Sequence, residues 1–275
     1  MVFVIGRSVG VVVLAALAGA CPAGAADFAS YVNPFNGTQA GAPDFGMGGG
    51  AGNTNPGPTV PLGMAQWGPD TSPASTNVGG GYAYDDTKIR GFSVRRLSGA
   101  GSANEGDVPF LPTTSAVTGS PVDPLSTEFK DSLLRSFSHA DEAAAPGSYR
   151  VGLGDGVEAQ LTATTRAGIG RFTFPAASPA TVLINATGSR TGNSARSVQI
   201  DPTAHEVTGV ATSGALCILP NAYRIYFAAR FSRPFAGYGT WTRQSRAGRR
   251  RRRTPRPDRR SSNTDTARPR RPVPT

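Results

Sequence analysis

The sequence predicts an all-β protein: an antiparallel β-sandwich with long Gly/Pro-rich loops, followed by a disordered Arg-rich C-terminal tail. Three observations lead there. Apolar and polar residues alternate with a period of two through much of 148–235, as in strands with one buried and one wetter face. Gly (35) and Pro (23) are abundant in the 275 residues, and concentrated as they are here they break any helical run. Turn residues, rather than helical periods, separate one strand-like run from the next, which favours antiparallel pairing over crossover units.

The elements follow in chain order. Arg7 precedes an apolar or small run from Val9 to Ala20, and Cys21-Pro22-Ala23-Gly24-Ala25 follows it. A charged start, a short apolar stretch and an Ala-x-Ala site predict a secretory signal peptide over 1–26, cut after Ala25 or Ala26. The chain is therefore expected to be secreted or held at the cell envelope, with Cys21 as an alternative lipid-attachment position. Residues 27–110 hold 16 Gly between Gly41 and Gly106, so they are expected to form turns and short strands. Ser126–Phe137 is the one stretch that suits a helix. Tyr149-Val151-Leu153, Val157 to Ala163, Arg171–Phe174 and Tyr223–Phe227 read as half-buried strands, and Val182-Leu183-Ile184 as a strand buried on both sides. The sandwich is expected over 27–242.

The formal charge of +10 has a local origin. From Arg243 to Thr275 there are 13 Arg against Asp258 and Asp265, whereas residues 1–242 carry 15 basic and 16 acidic side chains. The tail, 243–275, has no aromatic residue and no aliphatic one larger than Val273, so it has nothing with which to build a core. Only Lys88 and Lys130 among the 28 basic residues are Lys, a bias of GC-rich coding. Out-of-frame reading of such DNA yields Arg and Pro, and the tail is expected to be a frameshift product. The rival reading is a genuine polybasic segment that binds phosphate-rich surfaces by charge. Nucleic acid is not an expected partner of an exported protein. Removal of the leader leaves Cys217, in an apolar run, as a buried thiol; there is no disulfide framework and no Cys-based metal site.

Common catalytic signatures are absent. His139 and His205 sit in unrelated contexts, no Gly-x-Ser-x-Gly elbow occurs, and Gly79-Gly80-Gly81 lacks the Lys-Ser/Thr of a phosphate loop. Acidic pairs do occur, Asp85-Asp86 and Glu105 with Asp107. Paired carboxylates serve glycoside hydrolysis or Ca²⁺ binding; Asp in Gly-rich loops also caps turns, and spacing alone favours the caps. Trp67, in the loop Pro61–Asp70, would offer a sugar an aromatic platform, or would fold back on the sandwich edge with its N–H on a loop carbonyl.

The loops carry a series of motifs in a fixed order: Tyr31-Val32-Asn33-Pro34-Phe35-Asn36-Gly37-Thr38, Gly52-Asn53-Thr54-Asn55-Pro56-Gly57 through Pro61-Leu62-Gly63-Met64, Pro69-Asp70-Thr71, and Gly81-Tyr82-Ala83-Tyr84-Asp85-Asp86. Ile89-Arg90-Gly91-Phe92-Ser93, Leu97-Ser98-Gly99-Ala100-Gly101, Gly106-Asp107-Val108-Pro109-Phe110 and Ser136-Phe137-Ser138-His139 follow, then Glu142 and Pro146-Gly147. From about Phe28 to Trp241 this series resembles the N-terminal domain of glycoside hydrolase family 92, the calcium-dependent exo-acting α-mannosidases.

The resemblance implies a sandwich that packs on a helical catalytic domain and acts on α-mannose-containing glycans with inversion. It places the catalytic pair and most Ca²⁺ ligands in that second domain, so no catalytic residue and no metal ligand is assignable here, and the chain is expected to be a truncated fragment without activity of its own. It implies substrate-binding roles for Trp67, Asp107 and Asp85, with Asp86 and Arg90 weaker candidates, and a structural turn at His139. The family's usual Thr-His and Cys around Leu-Ser-Gly-Ala-Gly are replaced by Arg95, Arg96 and Ser102, a pair of cations that could disturb a pocket or domain contact. Two other functional readings are a stand-alone carbohydrate-binding module and an envelope-associated basic protein.

Overall fold

A computed structural model of the chain describes residues 27–39, 53–72, 79–99, 106–122, 129–189, 191–214, 219 and 221–241, apart from the side chains of 194 and 195. The expected leader with Cys21, the Cys217 thiol, Glu105, Ser102 and the tail 243–275 lie outside the described residues.

Eight of the described strands form one antiparallel sheet. They are β1 (Gly68–Ser72), β2 (Lys88–Arg95), β3 (Asp107–Thr113), β4 (Arg135–Ala145), β5 (Ser148–Leu153), β6 (Glu158–Ala163), β7 (Gly168–Thr173) and β8 (Thr181–Ile184), in the order β7-β6-β5-β4-β2-β3-β8 with β1 beside β2. β9 (Asn193–Asp201), β10 (Glu206–Ser213) and β11 (Tyr223–Arg230) form the second sheet, in the order β11-β10-β9. This is the all-β sandwich that the period-two pattern predicts. Its hairpins close where the turn chemistry allows. Ala145 pairs with Ser148 across Pro146-Gly147, and Gly147 takes a φ of +80°, which costs glycine little and a branched residue much.

Alternation sorts the side chains between two apolar clusters. Val108 and Phe110 of β3 join Ile89, Phe92, Tyr149, Val151, Leu153, Ala159 and Leu161 in the main core. Leu111, on the opposite face of β3, meets Phe129, Leu133 and Leu183 in a smaller one. β8 bridges the two, since Val182 and Ile184 pack on the main core and Leu183 on the other. A strand in that position needs apolar residues on both faces. From the second sheet, Ile225, Phe227 and Ala229 close on the main core.

The helix expected at Ser126–Phe137 is not formed among its described residues. A single 3-10 turn spans Asp131–Leu133, and β4 begins at Arg135. Strand pairing accounts for the difference: Ser136 and Arg135 pair with Lys88 and Ile89 of β2, and Phe137 with Leu153 of β5. The pairing with β5 shifts register before Glu142↔Val151 and runs on to Ala145↔Ser148, none of which local propensity reveals.

Candidate functional site

Trp67 enters the core. It is 8% exposed and donates its indole N–H to the Phe92 carbonyl at 3.0 Å, the carbonyl of a strand rather than of a loop. Phe110 and Phe172 meet its ring edge-on at 5.4 and 6.3 Å. β7 makes room with glycines: a Cβ at Gly168 or Gly170 would lie 2.6 or 2.5 Å from the ring. The ring faces are thereby given to β3 and β7, and the loop expected to hold a platform instead delivers a core aromatic.

The loops around Trp67 are held by polar side chains that also run inward. Arg96 is 5% exposed. It lies 3.0 Å from Asp70 and donates to the carbonyls of Gly80 and Gly68 at 2.8 and 2.6 Å. The second Asp70 oxygen accepts from the Ser93 backbone N–H and hydroxyl. Asn55 donates to the carbonyls of Pro69 and Gly80 and accepts from the Gly57 N–H. Asn53 accepts from the Gly79 N–H. The Gly/Pro segment is thus wired to β1 and β2 by buried amides and one ion pair, which satisfies backbone groups that have no sheet partner.

Asp107 opens β3, with Arg95 opposite it on β2. It is fully buried. Tyr223 of β11 donates its hydroxyl to Oδ2 at 2.9 Å, and the Arg95 guanidinium stands 3.7 Å from the same oxygen and 4.5 Å over the Tyr223 ring. Burial pushes the Asp107 carboxyl above its ordinary value, against the downward pull of Tyr223, Ser189, Arg95 and Ser213. Among the described residues Oδ1 has no hydrogen-bond partner. Asp107 therefore ties the two sheets together. A small cleft of about 20 Å³, room for little more than one water molecule, opens nearby, with Asp70, Arg90, Ser93, Gly106 and Ser189 in its walls.

Asp85 and Asp86 part company. Asp85 is exposed and accepts from Gln39 at 3.1 Å. Asp86 is 7% exposed and accepts from the Thr71 hydroxyl at 2.6 Å. Arg90 donates to Ser72 at 3.0 Å. The structure gathers Trp67 into the core, Asp107 into the inter-sheet contact and Asp85 onto the surface, and does not converge them on one pocket.

His139 corrects a second expectation, because it lies within β4 rather than in a turn. Its ring stacks on Tyr84 at 3.8 Å and 4°. One ring nitrogen is 2.6 Å from Glu142 and the other 2.6 Å from the Tyr84 carbonyl. Glu142 also accepts from Tyr82 at 2.9 Å and from Tyr149 at 2.6 Å. Burial, then the Glu142 charge, drives both phenols far above their ordinary value. Sequence reasoning gave Glu142 and Tyr223 no role; Glu142 meets Tyr82 of a distant loop and Tyr149 of β5, and Tyr223 is 116 residues from Asp107.

Chemically, the buried and half-buried carboxylates are committed to partners within the fold: Asp70 to Arg96, Asp107 to Arg95 and Tyr223, Asp155 to Arg135, Glu142 to Tyr82 and Tyr149, and Asp86 to the Thr71 hydroxyl. Among the described residues no three His, Cys, Asp or Glu side chains come together to hold a metal ion. No helix among them is long and apolar enough to cross a membrane.

The glycosyl hydrolase family 92 N-terminal domain matches residues 31–267. The chain belongs to that family. Solved structures similar to it include the family GH92 α-mannosidase BT3965 of Bacteroides thetaiotaomicron in complex with mannoimidazole, 30% identical with a TM-score of 0.62 over 76% of this chain and 26% of that one. The GH92 family glycosyl hydrolase CcMan5 is 32% identical, with a TM-score of 0.61 over 74% of this chain and 26% of that one. The family GH92 inverting mannosidase BT2199 of B. thetaiotaomicron is 28% identical, with a TM-score of 0.58 over 75% and 25%. The chain thus spans about a quarter of the length of these relatives. No curated protein matches it.

Proposed function

We propose that this chain is the N-terminal sandwich of an exported α-mannosidase, a glycan-degrading hydrolase whose chemistry is completed by groups outside the residues described here. The match over 76% of this chain to a mannosidase of which it covers 26% carries the reading. Inverting hydrolysis needs an acid and a base carboxyl roughly 6.5–9.5 Å apart with space for water between them. The buried carboxyls here are spent on Arg, His, Tyr and Thr partners and support a structural role. The sandwich therefore acts by packing against a catalytic domain and by presenting loops to an α-mannose-containing glycan. Trp67 and Asp107 serve that role by fixing the loops, and Asp85, the exposed carboxylate of the three, by reaching sugar. Ca²⁺ belongs to the complete enzyme.

The test is an assay of the full chain, with Ca²⁺, on aryl α-mannosides and α-linked mannobioses. No turnover above the buffer rate is expected. Turnover that an active-site carboxylate reagent abolishes would place a catalytic pair within this chain and overturn the reading. Export is checked separately, by N-terminal sequencing of protein from the medium, which is expected to begin at Ala26 or Asp27.

A further inference from the structure

We propose that Asn36 is a site of spontaneous modification, where the Gly37 amide displaces ammonia from the Asn36 side chain and leaves aspartate or isoaspartate in the turn. Asn36-Gly37 is the one Asn-Gly pair in the sequence. Asparagine is among the heat-labile residue types, and a following glycine hinders the attack least because it has no Cβ. Among the described residues neither the Asn36 side chain nor the Gly37 N–H has a hydrogen-bond partner, so amide and nucleophile are both uncommitted. Neighbouring asparagines lack one or the other. Pro follows Asn33 and Asn55 and brings no N–H. Asn53 and Asn185 hold their side-chain oxygens on the Gly79 and Thr187 N–H groups. Asp155-Gly156, which could close the same ring, is tied at both ends. Its carboxylate is held by Arg135 and Thr114, and Gly156 gives its N–H to the Leu153 carbonyl at 2.8 Å.

The Gly37 nitrogen gives its proton to water as it bonds to Cγ of Asn36. The Cγ–Nδ2 bond then breaks, and Nδ2 takes a proton from water and leaves as ammonia. Water opens the resulting succinimide at either carbonyl, to aspartate or to isoaspartate. Ring closure needs the Asn36–Gly37 peptide to rotate, and Thr54 restrains it. The Thr54 hydroxyl donates to the Asn36 carbonyl at 2.8 Å and its N–H to the Gly37 carbonyl at 3.4 Å. Its side chain also lies 3.0 Å from where a Gly37 Cβ would stand. Thr54 thus sets the rate. Isoaspartate lengthens the main chain by one atom just ahead of Thr38, whose carbonyl accepts from the Tyr84 N–H at 3.0 Å. The modified turn therefore loosens its hold on the loop from Gly81 to Asp86.

The experiment ages the full chain at mildly alkaline pH and follows it by peptide mapping with mass spectrometry, with isoaspartyl methyltransferase labelling to detect isoaspartate. Conversion is expected at Asn36 before any other asparagine and before isomerisation at Asp155-Gly156. Amide hydrogen exchange at Tyr84 should be faster in the converted chain. Thr54→Val, which keeps the shape and removes the hydroxyl, is expected to speed conversion at least about threefold with unchanged circular dichroism. Asn36→Gln should remove the signal. An Asn36 that stays intact in the folded chain, or a folded Thr54→Val chain that ages no faster than wild type, would overturn the proposal. Unchanged exchange at Tyr84 would overturn its consequence for the loop. The wild-type readout stands even if the Thr54→Val variant fails to fold.

Discussion

The Arg96 guanidinium lies 3.0 Å from the Asp70 carboxylate with its side chain 1% exposed, and the pair joins the end of β2 to β1 while Arg96 also holds the Gly80 carbonyl. An ion pair this deep has little net worth compared with a well-packed apolar pair, but removal of one partner strands the other's charge. Arg96→Met is expected to cost about 3–5 kcal/mol, read as a lowered urea midpoint with unchanged slope. The double variant Arg96→Met/Asp70→Leu should recover much of that loss. If Arg96→Met alone is neutral, the pair does not hold the loop.

Trp67 fills the space between β3 and β7. Trp67→Ala is expected to cost about 3–5 kcal/mol through the cavity it leaves. Gly170→Ala should cost about 1–3 kcal/mol by overpacking, because its Cβ would sit 2.5 Å from the indole. Thermal unfolding of both variants checks this; a stable Trp67→Ala chain would return the indole to the surface.

Asp107 gives a pH dependence with a definite sign. Burial raises its folded-state value above the ordinary 3.8, so the folded chain holds this proton more tightly than the unfolded one. Its contribution is fully present below the ordinary value and is lost as pH rises through the raised one. The stability of wild type relative to Asp107→Asn should therefore fall as pH increases from about 4. Urea midpoints of both chains across that range provide the measurement, and parallel curves would contradict the burial of a titrating carboxyl.

Glu142 accepts from two buried phenols. Glu142→Ala leaves both without a partner, and each orphaned donor costs about 1–3 kcal/mol. Glu142→Gln keeps one acceptor and should lose less. Tyr82 and Tyr149, held far above their ordinary value, should show no phenolate absorbance until alkaline unfolding. Early ionisation of either would mean that the network is open.

β5, β6, β7 and β11 were legible because each turns one face to the interior and the two-residue period records which. β8 was legible as an apolar run packed on both faces, while β9 and β10 were not read from the sequence. β4 was not, because Ser136-Phe137-Ser138-His139 mixes small, aromatic and polar residues whose pairing with β5 is decided in space. Trp67 misleads in the same way. Pro61–Asp70 reads as an open loop, and nothing nearby in sequence shows that Gly168 and Gly170, a hundred residues on, are hollowed to receive the indole. Arg95 and Arg96 read as two stray cations, yet one meets Asp107 and the other Asp70.

What the sequence by itself determined was the fold class, the neutral body with its basic tail, and, through motifs in fixed order, the family. These are properties of local pattern and composition, which survive without coordinates. Only the tertiary structure decided which polar residues are structural. Along the chain Asp107 reads as a turn cap or a sugar ligand, Arg96 as a stray cation, and Glu142 only as one member of a motif series. They became buried ties because their partners come from other strands and loops of the fold, and a charge is kept away from water only where those segments bring it a partner.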